Sequence, residues 1–485
     1  LTPAADPTSL SASEALALLR SRTLSPVELM AATIGRAEAV EPTVNAFTWE
    51  FFDAAMDAAK EAEARYAGKG GEPRPLEGLP VAIKEEMGIV GQPQTFASEV
   101  FADHVATYTA PFAERVLAAG GIVHARTTQP EFACAGFTWS RLFGVTRNPW
   151  NPAYDVGGSS GGAAASLAAG TSMLAGGSDI GGSIRIPASC CGVVGFKPPY
   201  GRVPQLPPYN LDHYCHEGPL ARTVADCALF ENVIAGPHPA DIASLRERVV
   251  LAVEPESVRG WKVALSLDLD GWEIHPDVRA NTLKAAEALR AAGAVVEEVR
   301  IGWDRQGMME AAAIHYGAIF GAWVASLVEE HREQLTPYAI EFAGVVAAAN
   351  DGAVGRGYEL EGAATVALGE VLETHRLLLC PTLAIPALPA GEAGMVAGRR
   401  DGSFLDALPA SDHLMTIPFN IASRCPVLSM PSGFSDDGVP TGVQLVGRTF
   451  CDADVFAAGA AIEGLGPWAR GMRPPIPFDE STSMM

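Results

Sequence analysis

The sequence predicts one large α/β/α domain: a mixed, mostly parallel central sheet covered by helices on both faces, with a helical segment at its N-terminus. Three observations lead there. Helix-like and strand-like stretches alternate with glycines between them, the rhythm of a parallel α/β layer. No internal repeat or low-complexity linker divides the 485 residues, although length alone would suggest two or three domains. Apolar residues make up 48% and charged residues only 19%, which suits one extensive core.

Residues 1–70 read as helices packed on the main domain, residues 71–485. Ser11 with Glu14, and Ser25 with Glu28, match the S-x-x-E capping box, the second with Pro26 at the first helical position. Leu79–Ile83 turns β-like and leads into Lys84. A helix over 111–120 runs into Gly120-Gly121 and the strand Ile122–Ala125. A glycine-dense stretch over 156–202 holds the small-residue helix Ala163–Ala169. A second α/β passage follows, with strand Val263–Leu267, helix Pro276–Ala292 and strand Val295–Ile301. Residues 306–375 are alanine-rich and mostly helical. Leu377–Cys380 reads as a strand ending at Pro381. Val427–Met430 and Gly442–Val446 flank a turn at Asp437-Gly438, before a helix near Asp452–Glu463.

The formal charge of −23, with no long basic run, argues against nucleic acid as a partner, because phosphate binding needs clustered Lys and Arg. No apolar run reaches 18 residues, and Leu1–Leu10 lacks the basic and apolar regions of a secretory signal. Neither a membrane partner nor export is therefore expected. The eight cysteines are scattered except for adjacent Cys190 and Cys191, and no C-x-x-C occurs. This pattern predicts a reduced cytoplasmic protein; separately, a monomer or homodimer with a small-molecule partner is expected.

Three segments carry chemistry. Gly157-Gly158-Ser159-Ser160-Gly161-Gly162 lets the backbone adopt angles closed to other residues and approach a ligand closely. A flexible linker fits poorly between Tyr154-Asp155-Val156 and Ala163–Ala169, and no Lys follows as a phosphate-binding loop requires. The run also satisfies G-x-S-x-G, the nucleophile elbow of α/β-hydrolase esterases. That reading makes Ser159 the nucleophile with a late histidine such as His413, but Tyr154–Val156 is short for an elbow strand.

Twenty-four residues after Ser159 stands Ser183, in Asp179-Ile180-Gly181-Gly182-Ser183-Ile184-Arg185. Two glycines before a serine free successive N–H groups to converge, the way a backbone oxyanion hole is built, where each donor is worth ~2.7–4 kcal/mol. The third segment is Gly78-Leu79-Pro80-Val81-Ala82-Ile83-Lys84. Its apolar residues draw Lys84 toward the sheet interior, where desolvation lowers an ammonium pKa and a neutral amine can accept a proton.

Together these segments resemble the amidase signature family. So do Thr146-Arg147-Asn148-Pro149-Trp150, Gly195-Phe196-Lys197-Pro198, Gly218–Val224 and Gly442–Arg448, so the likeness spans nearly the whole chain. It implies an α/β/α fold with its catalytic core at about 78–225, and a Ser–cis-Ser–Lys triad. Ser183 would be the nucleophile, Ser159 the relay behind a cis peptide, and Lys84 the base. The N–H groups of Ile180, Gly181, Gly182 and Ser183 would hold the oxyanion. Amide, anilide and carbamate substrates all fit an acyl-enzyme route that needs no metal or cofactor.

Lys84 is followed by Glu85 and Glu86, where the family often has Asp first. A carboxylate facing Lys84 would raise its pKa, so both are expected to point elsewhere. Asp179 is expected to anchor its turn. Arg185 is expected to support the loop or to bind a substrate carboxylate. Phe132, Cys134, Gly136, Ser160 and Tyr209 are the other expected pocket residues; for Trp and Phe of 303–323 core packing is the default reading and the acyl side of the pocket the alternative. Cys134-Ala135-Gly136-Phe137 replaces the polar block of the tRNA-dependent glutamine amidotransferase subunit, which favours an apolar acyl or aryl substrate over that role. A non-catalytic role in a complex is a further alternative, and the presence of all three triad residues speaks against it. The insertion Gln205–His216 reads as a lid. Asp212-His213-Tyr214-Cys215-His216 matches no zinc spacing, so no metal is expected there.

Overall fold

The computed structural model describes residues 6–252, 255–391, 412–465 and 474–475. Its frame is an eleven-stranded mixed sheet between helical layers. The strands are β1 (Phe47–Glu50), β2 (Pro80–Lys84), β3 (Ile122–Thr127), β6 (Leu174–Asp179), β7 (Val194–Lys197), β8 (His216–Ala221), β9 (Lys262–Leu265), β10 (Val295–Glu298), β11 (Leu377–Pro381), β12 (Val427–Phe434) and β13 (Pro440–Gly447), while the short β4 (Trp139–Ser140) and β5 (Gly144–Val145) pair apart. The order across the sheet is β1-β3-β2-β6-β8-β7-β12-β13-β11-β9-β10.

The mixed α/β/α sheet is as expected, but its parallel share is smaller. Parallel pairing is confined to β2 with β3 and β6, and β9 with β10 and β11. The remaining pairings, β1 with β3 at one edge and all those from β6 across to β11, are antiparallel. The β12–β13 hairpin and the return of β8 beside β6 account for this. The first 70 residues also depart from an all-helical reading, because Phe47–Glu50 joins the sheet edge. Both capping boxes form, with Ser11 and Ser25 each accepting from the backbone of Glu14 and Glu28 at 3.1 Å.

The period-two alternation of β2 explains how the site is presented. Val81 and Ile83 pack into one core with Phe112 and Val116 of the helix Pro111–Ala118. Ala82 faces the opposite layer, where Ala163, Ala164 and Leu167 of the helix Gly161–Ala169 lie. Large side chains thus fill one face and small ones the other, which lets the glycine-serine run approach the sheet. Lys84, two residues beyond Ala82, is carried toward that run.

Residues Arg305–His331 form one continuous helix of 27 residues, interrupted by a π turn at Gly317–Gly321. By length and composition it could cross a membrane, yet half of its apolar window is buried within the fold. Tyr316 and Phe320, at the π turn, belong to the apolar core that also holds Leu414 and Ile417.

Candidate active site

Lys84 closes β2 fully buried, and its Nζ donates to Ser159 Oγ at 2.7 Å and Ser178 Oγ at 2.8 Å. Burial pushes its pKa below the ordinary lysine value, while Glu86 opposes that shift. Of the two adjacent carboxylates, Glu85 turns away as expected, accepting from Thr95 Oγ1 at 2.8 Å and the Phe96 N–H at 2.9 Å. Glu86 does not. Its Oε1 lies 3.1 Å from Lys84 Nζ and accepts from Ser178 Oγ, so the expectation for Glu86 is corrected. The chain turns immediately after β2, which brings Glu86 back over the lysine.

The peptide bond Gly158–Ser159 is cis. Glycine is required at 158 because a Cβ there would stand 2.4 Å from the Phe137 carbonyl oxygen. Ser160 is buried and links the two serine segments: its N–H donates to the Ser183 carbonyl at 3.1 Å and its Oγ to the Ser178 carbonyl at 3.2 Å. Ser160 is therefore a brace and not, as expected, a pocket wall.

Asp179 ends β6 and organises the turn that carries Ser183. Burial alone would raise its pKa, but Arg185 and Asn420 outweigh that and hold its carboxyl well below the usual range. It accepts from the N–H groups of Gly182 at 2.8 Å and Ile184 at 3.3 Å, and from Arg185 Nη2 and Nε at 2.8 and 2.9 Å. Gly182, expected among the oxyanion donors, thus gives its N–H to Asp179, which leaves those of Ile180, Gly181 and Ser183. Gly182 also sits at φ +124°, and a Cβ there would meet Thr416 Oγ1 at 2.1 Å. Thr416 Oγ1 donates to the Gly181 carbonyl at 2.6 Å and Tyr316 Oη to the Ile180 carbonyl at 2.9 Å, so both flanking carbonyls are tied down.

Arg185 braces the turn from within the fold instead of opening to solvent. It is wholly buried, and besides Asp179 it donates to the Thr416 carbonyl, Gln444 Oε1 and Asn420 Oδ1. Arg185→Met should cost about 3–5 kcal/mol, since it strands a buried carboxylate; the loss is read from urea unfolding of the two proteins.

A narrow cavity of ≈ 60 Å³ opens against Ser183, walled by Cys134, Gly136, Tyr316, Phe320, Leu414 and Ile417 among others. Cys134 and Gly136, both named from the sequence as pocket residues, line this cavity. Phe132 lies outside, edge-on to Trp323 with ring centroids 5.0 Å apart. Tyr209 also lies outside the wall, its ring edge-on to Phe320 at 6.2 Å, so the 205–216 segment backs the cavity at one remove. From 303–323, Tyr316 and Phe320 contribute to the wall, whereas Trp303 packs on Phe419. Leu414, Ile417 and Phe342 complete the wall, and nothing local in the sequence distinguishes them from core residues.

His413, the histidine an esterase reading needs, is buried with its pKa lowered to about 4 by desolvation, while Ser159 is bonded to Lys84. His413→Ala is expected to keep its turnover number within a few-fold of the parent in a steady-state assay.

The family model for amidases matches residues 28–456. The chain is 34% identical over 464 residues to an acylamidase of Rhodococcus erythropolis, covering 95% of this chain and 96% of that protein. It is also 34% identical over 482 residues to a glutamyl-tRNA(Gln) amidotransferase component of Thermosynechococcus vestitus, covering 92% and 95%. Among solved structures, a bacterial aryl acylamidase of the amidase signature family superposes with a TM-score of 0.88 at 30% identity, covering 96% of this chain and 97% of that one.

Proposed function

Because this chain belongs to the amidase family, as an amidohydrolase acting on amide C–N bonds, we propose that Ser183 is its nucleophile and that Ser159 and Lys84 are its proton relay. One observation carries the reading: a buried lysine amine bonded at 2.7 Å to a serine hydroxyl, on a segment tied through Ser160 to Ser183. Burial favours the neutral amine, and a neutral amine can accept a proton.

Ser183 Oγ attacks the substrate carbonyl. Its proton passes to Ser159 as the Ser159 proton passes to Lys84 Nζ. The N–H groups of Ile180, Gly181 and Ser183 take up the charge on the tetrahedral oxygen. When the C–N bond breaks, Lys84 returns the proton through Ser159 to the leaving nitrogen. Water then enters and attacks the acyl carbonyl, giving a proton to the same relay; the Ser183 Oγ–C bond breaks, the relay returns that proton to Ser183 Oγ, and the acid is released.

The apolar wall beside Ser183 supports a small alkyl or aryl acyl group, carried by an amide, an anilide or a carbamate. Eight cysteines without a disulfide suit a reducing compartment such as the cytoplasm. The direct test is a hydrolysis screen across aliphatic amides, anilides and aryl carbamates with Ser183→Ala as control. Turnover of none by folded protein would favour the complex-forming role of the amidotransferase relatives. Gly136→Ala probes the acyl side. Its new methyl would meet Leu414 at 3.5 Å, ordinary contact distance. KM for the bulkiest accepted acyl group should rise several-fold, about 1 kcal/mol or more, with acetyl substrates unchanged.

A further inference from the structure

We propose that Asp212, His213 and His315 form a binding site for one divalent transition-metal ion of the zinc class, stapling the 205–216 segment to the helix Arg305–His331 beside the active site. One donor atom from each of the three lies within 4.8 Å of the other two. Asp212 and His213 follow the short 3₁₀ turn Tyr209–Leu211, whereas His315 comes from the long helix. The third donor is thus 103 residues from Asp212, which is why spacing within 212–216 showed no metal pattern. Cys215 and His216, the other donors in that run, are not among the three: Cys215 Sγ donates to Asp212 Oδ2 at 3.6 Å, and His216 is bonded to the carbonyls of Tyr214 and Ser423. Two imidazoles with one carboxylate suit zinc, whereas calcium and magnesium prefer oxygen throughout.

The arrangement is partly organised in advance. His315 Nε2 stands 2.7 Å from Asp212 Oδ1, sharing a proton that an entering cation would displace. Glu361 stands behind both imidazoles, its Oε1 4.0 Å from His315 Nδ1 and its Oε2 3.7 Å from His213 Nε2, and a closing of the first of these into a hydrogen bond on metal binding would fix the His315 ring and tautomer. Glu361 Oε1 accepts from Tyr214 Oη at 2.7 Å, and the Tyr214 ring stacks on His315 with centroids 3.7 Å apart. With metal–ligand bonds of ~2.0–2.1 Å, tetrahedral donors stand about 3.3 Å apart. Asp212 and His315 must therefore part slightly and His213 must close in. That movement falls to the most exposed of the three, since the His213 side chain is 31% exposed against 10% for His315. A water completes the coordination.

The site borders the catalytic turn on two sides. Tyr316, next to His315, holds the Ile180 carbonyl. The Tyr214 carbonyl accepts from Asn420 Nδ2, which also donates to Asp179. An ion bound here would brace the Asp179–Ser183 turn without touching substrate. This inference is independent of which serine is the nucleophile.

Chelator-treated full-length protein is titrated with Zn²⁺ against a chromophoric chelator and, separately, with Co²⁺ followed by visible absorption. One ion per chain is expected, with the d–d bands of four-coordinate Co²⁺ and a rise in Tm on saturation. His213→Ala, chosen because its side chain is partly exposed and the fold should survive, is expected to bind at least tenfold more weakly and to lose the Tm gain. Glu361→Gln should weaken binding about tenfold. Absence of stoichiometric binding in the parent protein overturns the assignment. So does equal binding by the parent and His213→Ala, which would put the ion elsewhere.

Discussion

Ser183→Ala is expected to lower kcat on every accepted substrate by on the order of 10⁶-fold while leaving Tm unchanged. The size follows from removing the group that forms the covalent intermediate; what remains is binding and the backbone donors of the oxyanion site. Stability should hold because the bond that ties Ser183 to Ser160 uses its carbonyl, which alanine keeps. A serine-directed fluorophosphonate should label the parent protein at Ser183 by peptide mapping and leave Ser183→Ala unmodified. Retention of more than about a thousandth of the parent kcat, or label at Ser159, would transfer the nucleophile elsewhere.

Local sequence marks the candidate reacting groups better than it marks the cavity walls. Lys84, Ser159 and Ser183 each sit in a short segment whose glycines or apolar run have few other uses, and their convergence follows from β2, β6 and the helix Gly161–Ala169 lying side by side. Gly182 shows how two local readings can compete. The anchoring expected of Asp179 consumes the very N–H that the oxyanion reading assigned to the substrate. Tyr316, Phe320, Leu414 and Ile417 join the cavity from more than 130 positions beyond Ser183, and as apolar residues they look like core until the fold places them. The three central strands β6, β7 and β8 were equally hard to read. Leu-Ala-Gly-Gly-Ser-Asp has no alternation, because its glycines are there for close approach: a Cβ at Gly177 would meet Ser160 Oγ at 2.7 Å.

Lys84→Met should cost on the order of 10⁴-fold in kcat, and joining it to Ser183→Ala should cost little more than Ser183→Ala alone. Groups that act as one relay are non-additive, since a base has nothing to do once its nucleophile is gone. Additive losses in the double variant would mean that Lys84 works on some other step. The state of this lysine gives a finer test through Glu86. Burial lowers the Lys84 pKa and the Glu86 carboxylate, 3.1 Å away, raises it again. Glu86→Gln preserves an acceptor for Ser178 and removes the charge, so the Lys84 pKa should fall further. Activity that needs the neutral amine is lost as pH drops through that pKa, so the acid limb of kcat/KM should move to lower pH, by about one unit or more for a contact pair. An opposing mechanism, in which protonated Lys84 is the working form, puts its pKa on the alkaline limb and moves that limb down instead. A variant inactive at every pH would make Glu86 itself a participant in proton transfer, and an unmoved acid limb would disconnect Lys84 from the rate.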